Sequence, residues 1–102
     1  MPPPGRIEVL VAYDVRTETA AGRRRLRKVA QICLGFGQRV QNSVFECRVT
    51  PAQLEEMEER LVQMIDHSED RLRIYRLAGQ REKFVHIYGD GPLFDLREPL
   101  IV

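Results

Sequence analysis

The sequence predicts an α+β domain with elements in the order β-α-β-β-α-β, and three observations carry that expectation. An alternating stretch, RIEVLVAYDV, occupies residues 6–15. Two later segments repeat apolar residues at helical spacing, the first rich in arginine and the second in glutamate. The remaining regular stretches, QRVQNSVFECRV and DRLRIYRL, are β-branched and aromatic with no helical period. Elements in this order form the ferredoxin-like arrangement, with both helices on one face of a four-stranded antiparallel sheet.

The first strand places Ile7, Val9, Val11, Tyr13 and Val15 on one face and Glu8, Leu10, Ala12 and Asp14 on the other. Both faces are mostly apolar, as in a central strand of a sheet covered on both sides. Thr17 and Thr19 are candidate helix caps. Leu26, Val29, Ala30 and Cys33 then form an apolar stripe, which predicts a helix over 20–35 with Arg23, Arg24, Arg27 and Lys28 off the stripe. Gly35-Phe36-Gly37 reads as a glycine stop. Strands are expected at 38–41 and 43–49, joined tightly through Gln41-Asn42-Ser43.

Thr50-Pro51-Ala52-Gln53 combines a cap, a first-turn proline and a capping-box glutamine. Leu54, Met57, Leu61, Met64 and Ile65 are the stripe of the second helix, expected to run to about residue 66. Glu55, Glu56, Glu58 and Glu59 load its first half, where the helix dipole favours negative charge, so no metal site is read there. DRLRIYRL is the fourth strand. Beyond the loop AGQREK, KFVHIYG reads as an additional C-terminal strand and DGP as a turn. The organisation expected is an N-terminal tail at 1–6, the ferredoxin-like domain at 7–79, and a strand and tail at 80–102 that dock on a second subunit. A face-to-face homodimer would cover the sheet face that the helices leave bare.

At 102 residues the chain is one small domain, 43% hydrophobic and 30% charged. No apolar run approaches the roughly 18–20 residues that span a bilayer. MPPPGR lacks the basic-then-apolar pattern of a signal peptide, so the expectation is a cytoplasmic protein with no membrane association. Cys33 and Cys47 then read as reduced core residues. His67 reads as a solvated cap at a helix end. The net charge of +1 conceals an asymmetry. Arg16 to Arg48 holds eight basic residues against two acids, and Val49 to Asp70 holds one against seven. The basic half points to an anionic partner, and arginine in particular suits phosphate. The bland alternative is that the two helices carry opposite charge to pair with each other or with a second subunit.

VAYDV closing the first strand, the arginine-rich helix, QNSVFEC, the acidic helix and RIYRL together resemble the small CRISPR-associated adaptation proteins of the Cas2 family, from about Val9 to Leu77. The resemblance implies a ferredoxin-like homodimer that bridges two dimers of the Cas1 integrase. It implies that the assembly binds duplex DNA and inserts it into the CRISPR array as a new spacer. Some members are described as metal-dependent endonucleases acting on RNA or DNA. In those the aspartate ending the first strand, here Asp14, is the metal ligand, and one Mg²⁺ is shared across the dimer axis. Ser43 and Phe45 correspond to positions near the same cleft.

Each assignment has a competing reading in the residues themselves. Tyr13 and Asp14 are the candidate catalytic residues, yet Tyr13 falls on the core face of its strand and Asp14 could cap the turn that follows. Arg16, Arg23, Arg24, Arg27 and Arg39 are the candidate phosphate contacts, yet a run such as Arg23, Arg24, Arg25 and Arg27 also suits a solvated helix face. Three functions follow: a non-catalytic scaffold of the adaptation complex, a Mg²⁺-dependent endonuclease, and a toxin-like RNA nuclease of the same fold. No second catalytic carboxylate or histidine lies near Asp14 in sequence, with Glu46 the remaining candidate. That ranks the scaffold first.

Overall fold

A computed structural model describes residues 5–77 and 85–89. Within them the chain forms β1 (Ile7–Asp14), α1 (Ala20–Leu34), β2 (Gly37–Gln41), β3 (Val44–Val49), α2 (Pro51–Met64) and β4 (Arg71–Leu77). The strands form one sheet in the order β2-β3-β1-β4, antiparallel throughout. This is the expected ferredoxin-like order, with β1 and β3 central.

Alternation decides what faces the helices. Val9, Val11, Tyr13 and Val15 are buried, and Phe45, Cys47 and Val49 lie on the same side of β3. Val29, Ala30, Ile32 and Cys33 of α1 and Leu54, Met57 and Leu61 of α2 close over them. The opposite face carries Leu10, Ala12 and Val44, each half-buried, among Glu8, Glu46, Arg48, Arg73 and Tyr75. Both cysteines are free and buried. Burial pushes the Cys33 thiol up to about 12 and the Cys47 thiol to about 11.

The helix boundaries follow from side chains named in the sequence. Thr19, rather than Thr17, caps α1, its hydroxyl accepting from the Gly22 N–H at 3.0 Å. Thr50 accepts from the Gln53 N–H at 3.2 Å, and the Gln53 side chain accepts from the Thr50 N–H at 2.9 Å. At the far end of α2 the His67 ring lies 2.9 Å from the Val62 carbonyl oxygen, as a terminal cap should.

Three expectations need correction. Gly35 ends α1 at φ −72°, an ordinary right-handed conformation, so the helix stop does not use glycine's conformational freedom. Gly37 instead belongs to β2 and opposes Cys47, where a Cβ would meet the Glu46 carbonyl oxygen and come 2.6 Å from the Cys47 Sγ. None of the glutamates of α2 lies in its first turn, where the dipole acts most strongly, so the dipole does not explain them. The two helices pack together, yet among the described residues no ion pair joins α1 to α2. The additional strand expected in KFVHIYG is one that docks on a second subunit; within the single chain Val85–Gly89 pairs with no strand, and Ile87 and Tyr88 are 72% and 88% exposed. Phe84 and the tail beyond Gly89 lie outside the described residues.

Candidate nucleic-acid interface

At one end of the sheet β1 runs out and β4 begins. The connections from β1 to α1 and from α2 to β4 meet there around a single carboxylate, Asp70, whose side chain is fully enclosed. Its oxygens accept from Arg25 Nε at 2.8 Å and Nη2 at 3.2 Å. They also accept from the backbone N–H of Asp66 at 2.8 Å and of Arg16 at 3.1 Å. Burial alone would raise the Asp70 carboxyl. The Arg25 guanidinium and the two backbone donors outweigh it and hold the group below the usual carboxylate range. One side chain therefore fastens α1, the loop before it and the start of β4.

Asp14 is the opposite case. It ends β1 exposed, and among the described residues no hydrogen bond or ion pair reaches its carboxylate. The capping duties it might have had belong to Thr19 and Asp70. In the β1–β4 register it stands opposite Arg71, which is exposed as well. Glu46 is no partner for it. Glu46 pairs with Leu10, four residues back along β1, or roughly 13 Å away at strand spacing.

The other candidates separate into two groups. Arg23, Arg24, Arg27 and Lys28 are exposed along α1, and among the described residues none of them forms an ion pair. Arg23 donates to the Thr17 carbonyl oxygen at 3.1 Å, which steadies the loop below it. Arg16 sits at the foot of the helix and is shared between Glu18 at 3.2 Å and Glu69 at 3.3 Å. Arg39, by contrast, lies on the helix-covered side, its guanidinium 5.2 Å from the Phe45 ring centre. It does not join the α1 row.

Tyr13 and Phe45 belong to the core. Phe45 is fully buried beside Val11, which corrects its expected place at a cleft. Tyr13 is 6% exposed and stacks on Phe45 with ring centres 6.2 Å apart. Burial pushes its phenol up to about 12, with the neighbouring Arg39 charge pulling the other way. Tyr13 and Asp14 point to opposite faces of the sheet and do not meet. Ser43 stands in the two-residue turn between β2 and β3, and its carbonyl oxygen accepts from the Tyr13 N–H at 3.1 Å.

The sequence profile described as CRISPR associated protein Cas2 matches residues 7–84. The chain belongs to the Cas2 family. It is 53% identical to CRISPR-associated endoribonuclease Cas2 1 of Moorella thermoacetica, over 92% of this chain and 98% of that one. It is 50% identical to CRISPR-associated endonuclease Cas2 of Halalkalibacterium halodurans, over 91% and 97% respectively. The crystal structure of Streptococcus pyogenes Cas2 at pH 6.5 superposes with a TM-score of 0.71 at 54% identity, covering 80% of this chain and 99% of that one. A chain from a partial Cas6-RT-Cas1–Cas2 complex matches with a TM-score of 0.62 at 28% identity, covering 79% and 89%.

For a Cas2 chain, the question at Asp14 is whether the residues suit a divalent ion. Among the described residues no three His, Cys, Asp or Glu side chains gather as a metal site. Asp14 alone offers one exposed carboxylate. Mg²⁺ is commonly held by one or two carboxylates with water completing its shell. One protomer therefore offers a single carboxylate toward such a site. Sequence reasoning missed Asp70, Arg25 as its partner, and Arg71. A signal existed for the last: Asp14 and Arg71 end and begin strands that the fold order makes neighbours.

Proposed function

We propose that this Cas2 chain is the nucleic-acid-binding, bridging component of CRISPR spacer acquisition. In this reading it works as a homodimer with the Cas1 integrase and grips duplex DNA through phosphate contacts. The observation that carries the reading is the exposed row of Arg23, Arg24, Arg27 and Lys28, without an acidic counterpart from α2. A cationic helix face of this kind binds phosphates without reading sequence. Arg16 contributes once its glutamate partners yield, because both of those pairs are solvent-exposed and weak. Arg39 is set aside as a primary contact because of its place over Phe45. The Cas1 partnership is supported by the structural likeness to a chain of the Cas1–Cas2-containing complex.

The homodimer is supported by the open sheet face. Leu10, Ala12, Val44 and Leu77 give it an apolar middle, and Tyr75 is 43% exposed beside them. Residues 80–102 are then the segment that docks on the second subunit, with Ile87 and Tyr88 as its exposed apolar residues. Truncation after Gly79 should shift sedimentation toward monomer, and an unchanged dimer would refute that role for the tail.

A second reading is favoured by the unpartnered Asp14. Relatives carry the names endoribonuclease and endonuclease. In this reading Asp14 and its copy across a two-fold axis hold one Mg²⁺, an ion that polarises a phosphodiester and activates bound water. Asp14 would supply carboxylate oxygens at a strand end that Asp70 holds in place. Tyr13 keeps its proton at neutral pH and, from the core, orders the strand beneath. Family membership favours both of these readings over a toxin-like RNA nuclease.

The test compares wild type with Asp14→Ala in two assays, RNA and duplex cleavage with Mg²⁺ and spacer integration with Cas1. Integration that survives while cleavage is lost or never seen establishes the scaffold. Loss of both makes Asp14 a working ligand.

A further inference from the structure

We propose that the cavity between the end of α1 and the start of α2 is a phosphate site, where Arg6, Gln53 and Arg60 hold one backbone phosphate of a bound duplex. This rests on the nucleic-acid-binding reading above and adds a contact beyond the α1 row.

The cavity encloses about 400 Å³ at the end of the helix layer, where Gly35 and Phe36 leave α1. Three of its lining residues are donors, and each is held by a contact that does not use up its donors. The Arg60 guanidinium lies over the Phe36 ring, 5.9 Å from its centre. Packing against a ring face leaves the N–H edge of a guanidinium free. Arg6 gives one N–H to the Arg48 carbonyl oxygen at 3.3 Å and keeps the others. The Gln53 side-chain oxygen accepts from the Thr50 N–H in the capping box, which leaves its NH₂ to donate. Among the described residues neither Arg6 nor Arg60 enters an ion pair. Arg48 is different: its guanidinium is turned to Glu8 at 3.6 Å, on the open sheet face, and takes no part. Phe36, Gln53 and Arg60 belong to the helix layer, so a homodimer built through the open face leaves the cavity accessible.

Helical spacing separates this flank of α2 from the other. Gln53, Glu56 and Arg60 stand at i, i+3 and i+7 and line the cavity. Glu55, Glu58 and Glu59 line a separate groove of about 440 Å³ with Arg76. Arg6 and Arg60 outweigh Glu56 in the cavity, whereas three glutamates outweigh Arg76 in the groove. The carbonyl end of α1 and the N–H end of α2 both reach the cavity, so their dipoles offset and the side chains set the sign. A guanidinium fork matches two phosphate oxygens, and the second guanidinium and the carboxamide supply further donors. Gly35 lies seven residues beyond Lys28, or roughly 10 Å along the helix axis. A duplex lying along α1 therefore meets the cavity well within one turn of about 34 Å.

The test is binding of a fluorescently labelled DNA duplex to the full chain in EDTA, across a salt series. Arg6→Gln/Arg60→Gln should weaken binding about tenfold at low salt and lower the salt slope by about one, the loss of one phosphate contact. Glu56→Gln should tighten binding by about twofold or more, and should lose that effect in the Arg6→Gln/Arg60→Gln background. Arg76→Gln and Glu55→Gln, on the opposite flank, should each change affinity less than about twofold. Equal effects of Arg60→Gln and Arg76→Gln, or of Glu56→Gln and Glu55→Gln, overturn the proposal, because net charge alone then accounts for binding. Unchanged duplex affinity in Arg6→Gln/Arg60→Gln also overturns it. Loss of calorimetric ATP binding in that variant would then assign the cavity to a free nucleotide, and a shift to monomer in sedimentation would assign it to the second subunit. Arg24→Ala/Arg27→Ala separates the two ideas. If it costs no affinity while the cavity effect stands, the α1 reading fails and this one holds. Absence of any salt-dependent binding by wild type sinks both.

Discussion

Asp70 and Asp14 sit at the same end of the sheet and are built to opposite ends. Asp70 is enclosed, with every approach taken by a donor from a different segment of chain. Asp14 is open to solvent and committed to nothing among the described residues. Charges are expensive to bury and are kept buried only where hydrogen bonds repay the desolvation. A structural carboxylate is therefore saturated, and one kept for an external partner is left unsaturated. The contrast gives Asp70 a structural duty and leaves Asp14 without one, as the proposed function requires, and each side of it can be broken.

The largest effect should come from Asp70→Ala. It strips Arg25 of its partner and leaves the Asp66 and Arg16 N–H groups without an acceptor, at a cost of about 3 kcal/mol by urea unfolding. A loss under about 1 kcal/mol would show that the loops are held by something else. The same carboxylate sets an acid limb. Its folded-state pKa is lowered, so its contribution is fully present above the unfolded value near 4 and disappears as pH falls through the lower folded value. Asp70→Asn should flatten that limb, and a limb of unchanged steepness would assign it to other carboxyls.

Next in size is Gly37→Ala. The added methyl has the Glu46 carbonyl oxygen and Cys47 Sγ in its way, so β2 must shift from β3 at a cost of about 2 kcal/mol. A neutral result in thermal unfolding would return Gly37 to the role of a helix-stop residue. The smallest effect on stability belongs to Asp14→Ala. Its unfolding midpoint should stay within about 2 °C of wild type while nucleic-acid phenotypes change. A large drop would mean that Asp14 is structural after all.

The sequence made legible what is local. Thr50, Pro51 and Gln53 carry their capping chemistry within four residues, and the α2 stripe and the β1 alternation are periodic. Gly37 was misassigned because a glycine after a helix looks the same whether it turns the chain or admits a neighbouring strand. Asp70 was invisible for a different reason: Arg25 is 45 residues away, and only the fold brings them together. Phe45 shows that pattern can outrank resemblance. In Val44-Phe45-Glu46-Cys47 it shares its face with Cys47, and that parity already placed it in the core rather than at a cleft.

The two thiols acquire a use that has nothing to do with nucleic acid. Cys33 faces the core from α1 and Cys47 from the central strand β3, and burial keeps both protonated at neutral pH. Since only the thiolate is an effective nucleophile, an alkylating reagent added to the native protein must wait for the chain to open. Its rate is then a clock for breathing of the interior, with one hand on the α1 layer and the other on the sheet. If α1 lifts away as a unit, Cys33 reacts first; if the domain opens only all at once, the two cysteines keep the same time.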